Sequence, residues 1–354
     1  MATRTHKALV VTEVGKPLSL VHDRTTQEPG SGQVLIRVII SGPNPHDQKA
    51  RDWGLFIASN LPAVLNNDVV GEVIALGPDV TRCAVGDHIV SHANFDGKYA
   101  QSGLQEYALV DAAFSAKIPE GSTDDDGATL PTNVIAPLVA IFDSDALGIP
   151  APWAQEAKTF DYKGTTLLVV GGGSNCGKFG VQLAALAGIG QIVVVGGDEA
   201  ELKSYGATHV VDRHGSSDNV TQRIRSIVGD DLLYAYDAVN PPPGQIVGIN
   251  ALSSTKKGKL ARLVRSGAEA LDESKVSAKK EGYELKNVFG SSQAKPDLAA
   301  PFWDRVPQYL KDGKLKPTKY EVVNLKDWNA DKVNDVLDRY RDGKRVTKTH
   351  FHLA

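Results

Sequence analysis

Cysteine is nearly absent: Cys83 and Cys176 are the two in a chain of 354 residues. Two thiols build neither a disulfide framework nor a four-cysteine zinc site, and a reducing compartment is the simplest reading. An excess of one charge sign is missing too. The formal net charge is -3, with no basic or acidic block, which speaks against nucleic acid or an anionic membrane as the main partner. No apolar run is long enough to span a bilayer, and the opening MATRTHKALVV lacks the apolar core of a secretory signal. The expectation is a cytoplasmic protein. Internal repeats and low-complexity segments are also lacking. What remains is an ordinary globular composition, 42% hydrophobic and 23% charged, long enough for two domains.

The chain changes character near Asn133. Before it, short β-branched runs punctuated by Gly, Pro and Asp predict strands at Lys7–Val11, Gln33–Gly42, Asp68–Gly77 and Gly86–Val90, close enough for a small barrel or sandwich. From NVIAPLVAIFDSDAL onward a helix is followed by alternating strands and helices. Strands are predicted at Leu167–Val170, Ile192–Val195, His209–Val211, Leu232–Asp237, Lys259–Val264 and Glu284–Phe289. This alternation is the pattern of a six-stranded, doubly wound parallel sheet. The C-terminal part, FWDRVPQYLKDGKLKPTKYEVV, reads as a helix, a turn and a strand, and the sequence ends GKRVTKTHFHLA.

The segment VVGGGSNCGKFGVQLAALAG, Val169 to Gly188, joins the first of these strands to an amphipathic helix. Such a turn needs glycine so that the backbone can turn sharply, approach a pyrophosphate and pack the helix on the sheet. Free N–H groups at the helix start then hold the phosphate. Gly171, Gly172, Gly173, Ser174, Asn175, Cys176, Gly177 and Lys178 are the candidate cofactor-binding turn. Ser174 replaces the middle glycine and is small enough to offer its hydroxyl to a phosphate. After the second strand, Gly196 and Gly197 stand where NAD-binding chains usually place an acid. Asp198 follows slightly later, and Lys178, Lys203 and Arg213 are nearby bases. The combination favours the 2′-phosphate of NADPH, although each base also reads as an ordinary solvated charge. Val239, Asn240, Phe289 and Gly290 follow the fourth and sixth strands, where ligands of doubly wound sheets lie.

With these segments, NPHDQKARDWGLF, DVVGEVIALGPDVTRCAVGDHIV, LLYAYDAV and FGSSQAKPDLAAPFWDRVPQYLKDGKLKP, the chain resembles the medium-chain dehydrogenase/reductase superfamily. It looks most like the zinc-free quinone reductases and the fungal trans-acting enoyl reductases. The resemblance implies an α/β chain with a GroES-like β-rich catalytic domain (1–132 and 300–354) around a Rossmann domain (133–299), the active site lying in the cleft. Zinc members carry a cysteine three residues before an aspartate, and a histidine in a Gly-His-Glu segment. Here Asn44 precedes Asp47, and Asn67 of NND holds the histidine position. Amides are poor zinc ligands, so no metal is expected.

Without a Lewis acid, reduction of an activated C=C bond fits better than alcohol oxidation. Hydride attack β to a carbonyl places charge on the carbonyl oxygen, which hydrogen-bond donors stabilise. Lys49 stands where the resembled enoyl reductases tend to have lysine, a donor to the carbonyl or to the nicotinamide ribose; otherwise it reads as a solvated strand or loop lysine. Asn44 and Asp47 are expected to shape the pocket, Arg51 to pair with an acid, and Tyr99 is an alternative acid. His46, His88 and His92 read as scattered surface or core histidines. The runs STKKGK and SKVSAKKEG read as solvated loops or, alternatively, as attraction for an acidic carrier. The expected partner is a small-molecule or carrier-bound enoyl substrate, with no nucleic acid and no membrane, the chain being a monomer or homodimer. A zinc-free carbonyl reductase and a cofactor-binding protein without turnover are the competing readings.

Overall fold

The computed structural model describes residues 4–95, 100–264 and 269–354. The chain begins β1 (Thr5–Val11), β2 (Ser19–Thr25), β3 (Gln33–Gly42), α1 (Pro45–Trp53), β4 (Ala63–Val64), β5 (Asp68–Leu76), β6 (His88–His92), β7 (Tyr107–Asp111), β8 (Ser115–Lys117), α2 (Asp124–Ala128) and α3 (Pro131–Phe142). It continues β9 (Thr166–Val170), α4 (Asn175–Ala187), β10 (Gln191–Val195), α5 (Glu199–Ser204), β11 (His209–Val211), α6 (Ser217–Val228), β12 (Tyr234–Asp237), α7 (Ile246–Ala251), β13 (Gly258–Arg262) and β14 (Tyr283–Asn287). It closes with α8 (Pro296–Lys311), β15 (Tyr320–Asn324), α9 (Ala330–Arg341) and β16 (Lys348–His352).

Two compact units result. The first comprises Met1–Thr132, Ser291–Gly313 and Pro317–Ala354; the second, Asn133–Gly290 and Lys314–Lys316. The return to the first unit thus comes at Ser291 rather than at 300. The cause is polar: Ser292 Oγ accepts from Trp303 Nε1 at 3.1 Å and pairs with Nδ1 of the fully buried His92 at 3.0 Å. These bonds bind the start of α8 to β6.

In the first unit, β2, β1 and β4 form a small sheet. The order β15-β16-β3-β5-β6-β8, with β7 also pairing β3, forms a larger one. Apolar residues of β1, β3 and β5 meet Val333, Val336 and Leu337 of α9 in one core. In the second unit the sheet is parallel throughout, in the order β11-β10-β9-β12-β13-β14. Leu168, Val193, Ala235 and Leu260 from its strands pack with Val220 and Ile224 of α6 and Ile249 of α7. The strand order reverses between β9 and β12, so the loops after β9, β10 and β12 gather at the carboxyl ends of the strands where such sheets bind ligands.

One buried ion pair ties distant parts of the first unit together. Asp68, at the start of β5, is fully buried and pairs with Lys348 of β16, which is 3% exposed. Asp68 Oδ2 also accepts from Asn44 Nδ2 (2.8 Å), and its Oδ1 accepts from the Thr132 N–H (2.8 Å) and Oγ1 (2.6 Å). Lys348 donates further to Pro43 O (3.2 Å) and Asn44 Oδ1 (3.3 Å). A side chain on Gly42 would press on Lys348 Nζ at 3.0 Å, so glycine makes the room.

Every donor of the ammonium and both carboxylate oxygens are thereby used, the condition under which a buried pair is tolerated. Burial alone would raise the Asp68 carboxyl; Lys348 and the other donors outweigh it and hold it below the ordinary aspartate range. Lys348→Met should therefore cost about 3–5 kcal/mol, the usual penalty for stranding one buried charge, read by urea unfolding at neutral pH. Because the folded carboxyl is depressed, its contribution is present above the unfolded aspartate value and lost as pH falls through the folded one. The difference between variant and wild type should accordingly shrink in an acid titration, because a protonated Asp68 no longer needs the ammonium.

Candidate functional site

The glycine turn sits between β9 and α4. Gly171 has φ +94°, and a Cβ there would lie 2.5 Å from Val239 Cγ2. A Cβ on Gly172 would meet Val194 Cγ1 at 2.3 Å and Gly196 O at 2.6 Å. At Gly177 it would stand 2.2 Å from Gly171 O, a backbone atom. Gly173 is the tolerant member: its Cβ would meet nothing closer than 3.5 Å. Ser174 caps α4; its Oγ accepts from the Gly177 N–H at 3.0 Å and donates to Gly171 O at 2.8 Å. Its hydroxyl proton is thus spent inside the turn and is not offered to a phosphate. The N–H of Asn175 opens the helix without an intrahelical acceptor, a donor placed for an anion at the helix start.

Around the end of β10 the candidate bases separate. Lys178 is buried and bonds Glu201 at 2.9 Å, joining α4 to α5. Lys203 pairs with Glu199 along α5 at 2.7 Å. Neither is the free base the sequence suggested. Asp198 caps α5, accepting from the Glu201 N–H at 2.8 Å, so its carboxylate is committed to the helix start. Arg213 remains. It lies across Gly196, where an added Cβ would stand 3.0 Å from its Cδ. It lines a recess of about 280 Å³ with Gly196, Gly197, Glu199 and His214. Among the described residues its guanidinium makes no hydrogen bond or ion pair.

After β12, Asp237 organises the turn: it accepts from the N–H groups of Val239 (3.1 Å) and Asn240 (2.8 Å) and from Asn240 Nδ2 (2.9 Å). Burial pushes its carboxyl above the ordinary value. Val239 and Phe289 are exposed. Gly290 has a packing duty, since a Cβ there would stand 2.8 Å from Ala136 Cα. The lysine runs are largely neutralised. Lys256 pairs with Asp231 and Lys257 with Glu284. Lys279 donates to the carbonyls of Asn250 and Leu252, and burial pulls it down to about 8.

In the first unit the second cluster surrounds α1. Lys49 stands on this helix, not on a strand or loop. Pro45 opens α1, and the Asn44 N–H donates to Asp47 Oδ2 at 2.7 Å. Asp47 Oδ1 accepts from the Asn66 N–H at 2.9 Å, so one of its oxygens closes the helix start and the other fixes the Asn66–Asp68 turn against it. Arg51 pairs with Asp52 and Asp338, each at 2.6 Å, and serves structure. Lys49 is half-buried, and among the described residues its ammonium has no partner. Tyr99 lies outside the described residues.

Asn67 Nδ2 donates to Ala93 O (3.1 Å) and Asn94 O (3.0 Å), so its Oδ1 faces His46 Nε2 at 2.9 Å. His46 is the residue the sequence reading passed over. The other two histidines are committed: His88 bonds Asp124 at 2.9 Å, and burial pulls His92 down to about 4.

A family model described as Alcohol dehydrogenase GroES-like domain matches residues 30–120. "Dehydrogenase orsE" of Emericella nidulans is 29% identical over 99% of each chain. "Trans-enoyl reductase tazE" of Aspergillus terreus is 29% identical over 75% of this chain and 86% of its own. A quinone oxidoreductase of Pseudomonas syringae pv. Tomato superposes with a TM-score of 0.74 at 20% identity, covering 98% of this chain and 99% of that one. Together these similarities support a medium-chain dehydrogenase/reductase superfamily member.

The superfamily's two-part plan, a GroES-like domain with a parallel six-stranded sheet, is the architecture found here. In this turn, Gly177→Ala should cost about 1–3 kcal/mol, because the new methyl meets a carbonyl that cannot move aside as a side chain can. Gly173→Ala should be nearly neutral. Urea unfolding of the two variants checks both.

Proposed function

We propose that the chain is an NADPH-dependent reductase of activated C=C bonds in small-molecule or carrier-bound enoyl, enone or quinone substrates, working without zinc. The observation that carries this reading is the state of the two amides at the zinc-ligand positions. Asn44 donates to Asp68 and accepts from Lys348, and Asn67 is bonded through both ends of its amide. A lysine ammonium already stands against Asn44 and Asp68. This donor set does not fit a zinc cation. Names of relatives such as trans-enoyl reductase support the same direction.

A bound reduced nicotinamide supplies hydride. The turn from Gly171 to Gly177 at the start of α4 would hold its pyrophosphate, and Arg213 would meet the ribose 2′-phosphate. Asp198, engaged as a helix cap, leaves that phosphate unopposed at its own position. Lys49 would donate to the substrate carbonyl as charge develops there.

Arg213→Ala should weaken NADPH binding about tenfold to a hundredfold, the worth of a charge-assisted hydrogen bond, with NADH binding little changed; fluorescence titration reads both. Nicotinamide oxidation should be seen with an enone, a quinone or an enoyl thioester. Turnover of a simple ketone alone would defeat the proposal. Lys49→Ala should lower turnover about 10²–10³-fold, as loss of one oxyanion donor does, with NADPH affinity nearly unchanged.

A further inference from the structure

Reduction of an activated alkene needs a proton at the carbon α to the carbonyl, and the groove beside α1 holds one group built to give it. His46 lines this groove with Leu55, Phe56, Asn67, Asn94 and Phe95. The orientation of Asn67 is fixed by its two carbonyl acceptors, so its Oδ1 accepts from His46 Nε2–H. The ring is set edge-on to Phe95, with centroids 5.1 Å apart, and Phe95 in turn meets Phe56 and His92. His46 Nδ1 has no hydrogen-bond partner among the described residues. The side chain is 18% exposed, enough for exchange with water.

Two residues bordering this groove carry rare backbone. Phe56 has φ +65° and Asn66, next to Asn67, has φ +74°. For a bulky residue such as Phe56 this is an outlier of the kind that gathers at functional sites. Lys49 follows His46 by three residues and shares its face of α1.

We propose that His46 is the proton donor to the α carbon; this rests on the alkene-reductase reading above. Once the β carbon has accepted hydride from a reduced nicotinamide, the substrate is an enolate. Its electron pair forms the new Cα–H bond as the Nδ1–H bond of the His46 imidazolium breaks. The ring becomes neutral and regains a proton from water. Asn67 holds Nε2–H in both states, so proton loss at Nδ1 leaves the ring in place. The charged or titratable groups facing His46 are Asp47, whose Oδ2 is 3.5 Å from Nε2, Lys49 on the same helix face, and His92 behind Phe95.

The test uses the full chain. Nitrogen NMR of labelled histidine, with the His46 signals assigned by their loss in His46→Gln, should find the neutral ring protonated at Nε2; a ring protonated at Nδ1 overturns the proposal whatever the activity. Reduction of an α-methyl enone by NADPH in heavy water should place deuterium on one face of the α carbon. His46→Gln should slow turnover about 10²-fold, in the range of general acid catalysis, and scatter deuterium over both faces. Hydride addition at the β carbon should stay on one face. Asn67→Ala, which frees the ring, should scatter deuterium too, whereas Lys49→Ala should be slow yet deliver deuterium to a single face. Single-face delivery by His46→Gln at the wild-type rate overturns the proton role alone. If the wild type reduces no activated alkene, the activity itself is refuted and the proton step with it.

Discussion

The Asp68–Lys348 pair is the constraint on which the first unit turns. It joins residues 280 positions apart, and its other bonds reach Pro43, Asn44 and Thr132. The start of α1, the start of β5, the start of α3 and the start of β16 are thereby held to one point. A charge pair removed from water is retained only when its remaining hydrogen-bond capacity is filled, and here it is filled by parts of the chain that must all be in place. The Asn66–Asp68 turn and the first turn of α1 are consequently rigid, and they carry the groups argued to do the chemistry.

A second theme is economy of free polar groups. Ser174, Asp198, Lys178, Lys203, Arg51, Asn44 and both oxygens of Asp47 are occupied by structural bonds. Against that background Lys49 and Nδ1 of His46, both partly buried, stand out as polar ends without partners among the described residues, and Arg213 is a solvent-exposed cation without one. Burial and pairing of polar groups is the ordinary outcome of folding. Unspent donors set on well-fixed backbone are therefore the informative exceptions.

The strands of the parallel sheet were legible because both of their faces are buried. Such strands read as unbroken apolar runs; β9 and β10 run into glycine and lie within one residue of the spans expected from sequence. The helix α1 was not legible. Its buried residues are Asp47, Gln48, Ala50 and Arg51, so no apolar stripe marks it, and polar partners on other elements do the work that hydrophobic periodicity usually reveals. The return to the first unit at Ser291 was hidden for a similar reason, since it depends on Ser292 meeting His92 and Trp303.

Local chemistry alone, then, determined the glycine turn, the parallel sheet and the amides standing at Asn44 and Asn67. These follow from backbone sterics and from residue identity at close spacing. Which bases are free, which serine proton is spent, and which histidine faces a groove were decided by tertiary structure. Each depends on a partner far away in sequence, such as Glu201 for Lys178 or Asn67 for His46. A hydrogen bond has a short reach and a strict direction, so only the folded chain could assign it.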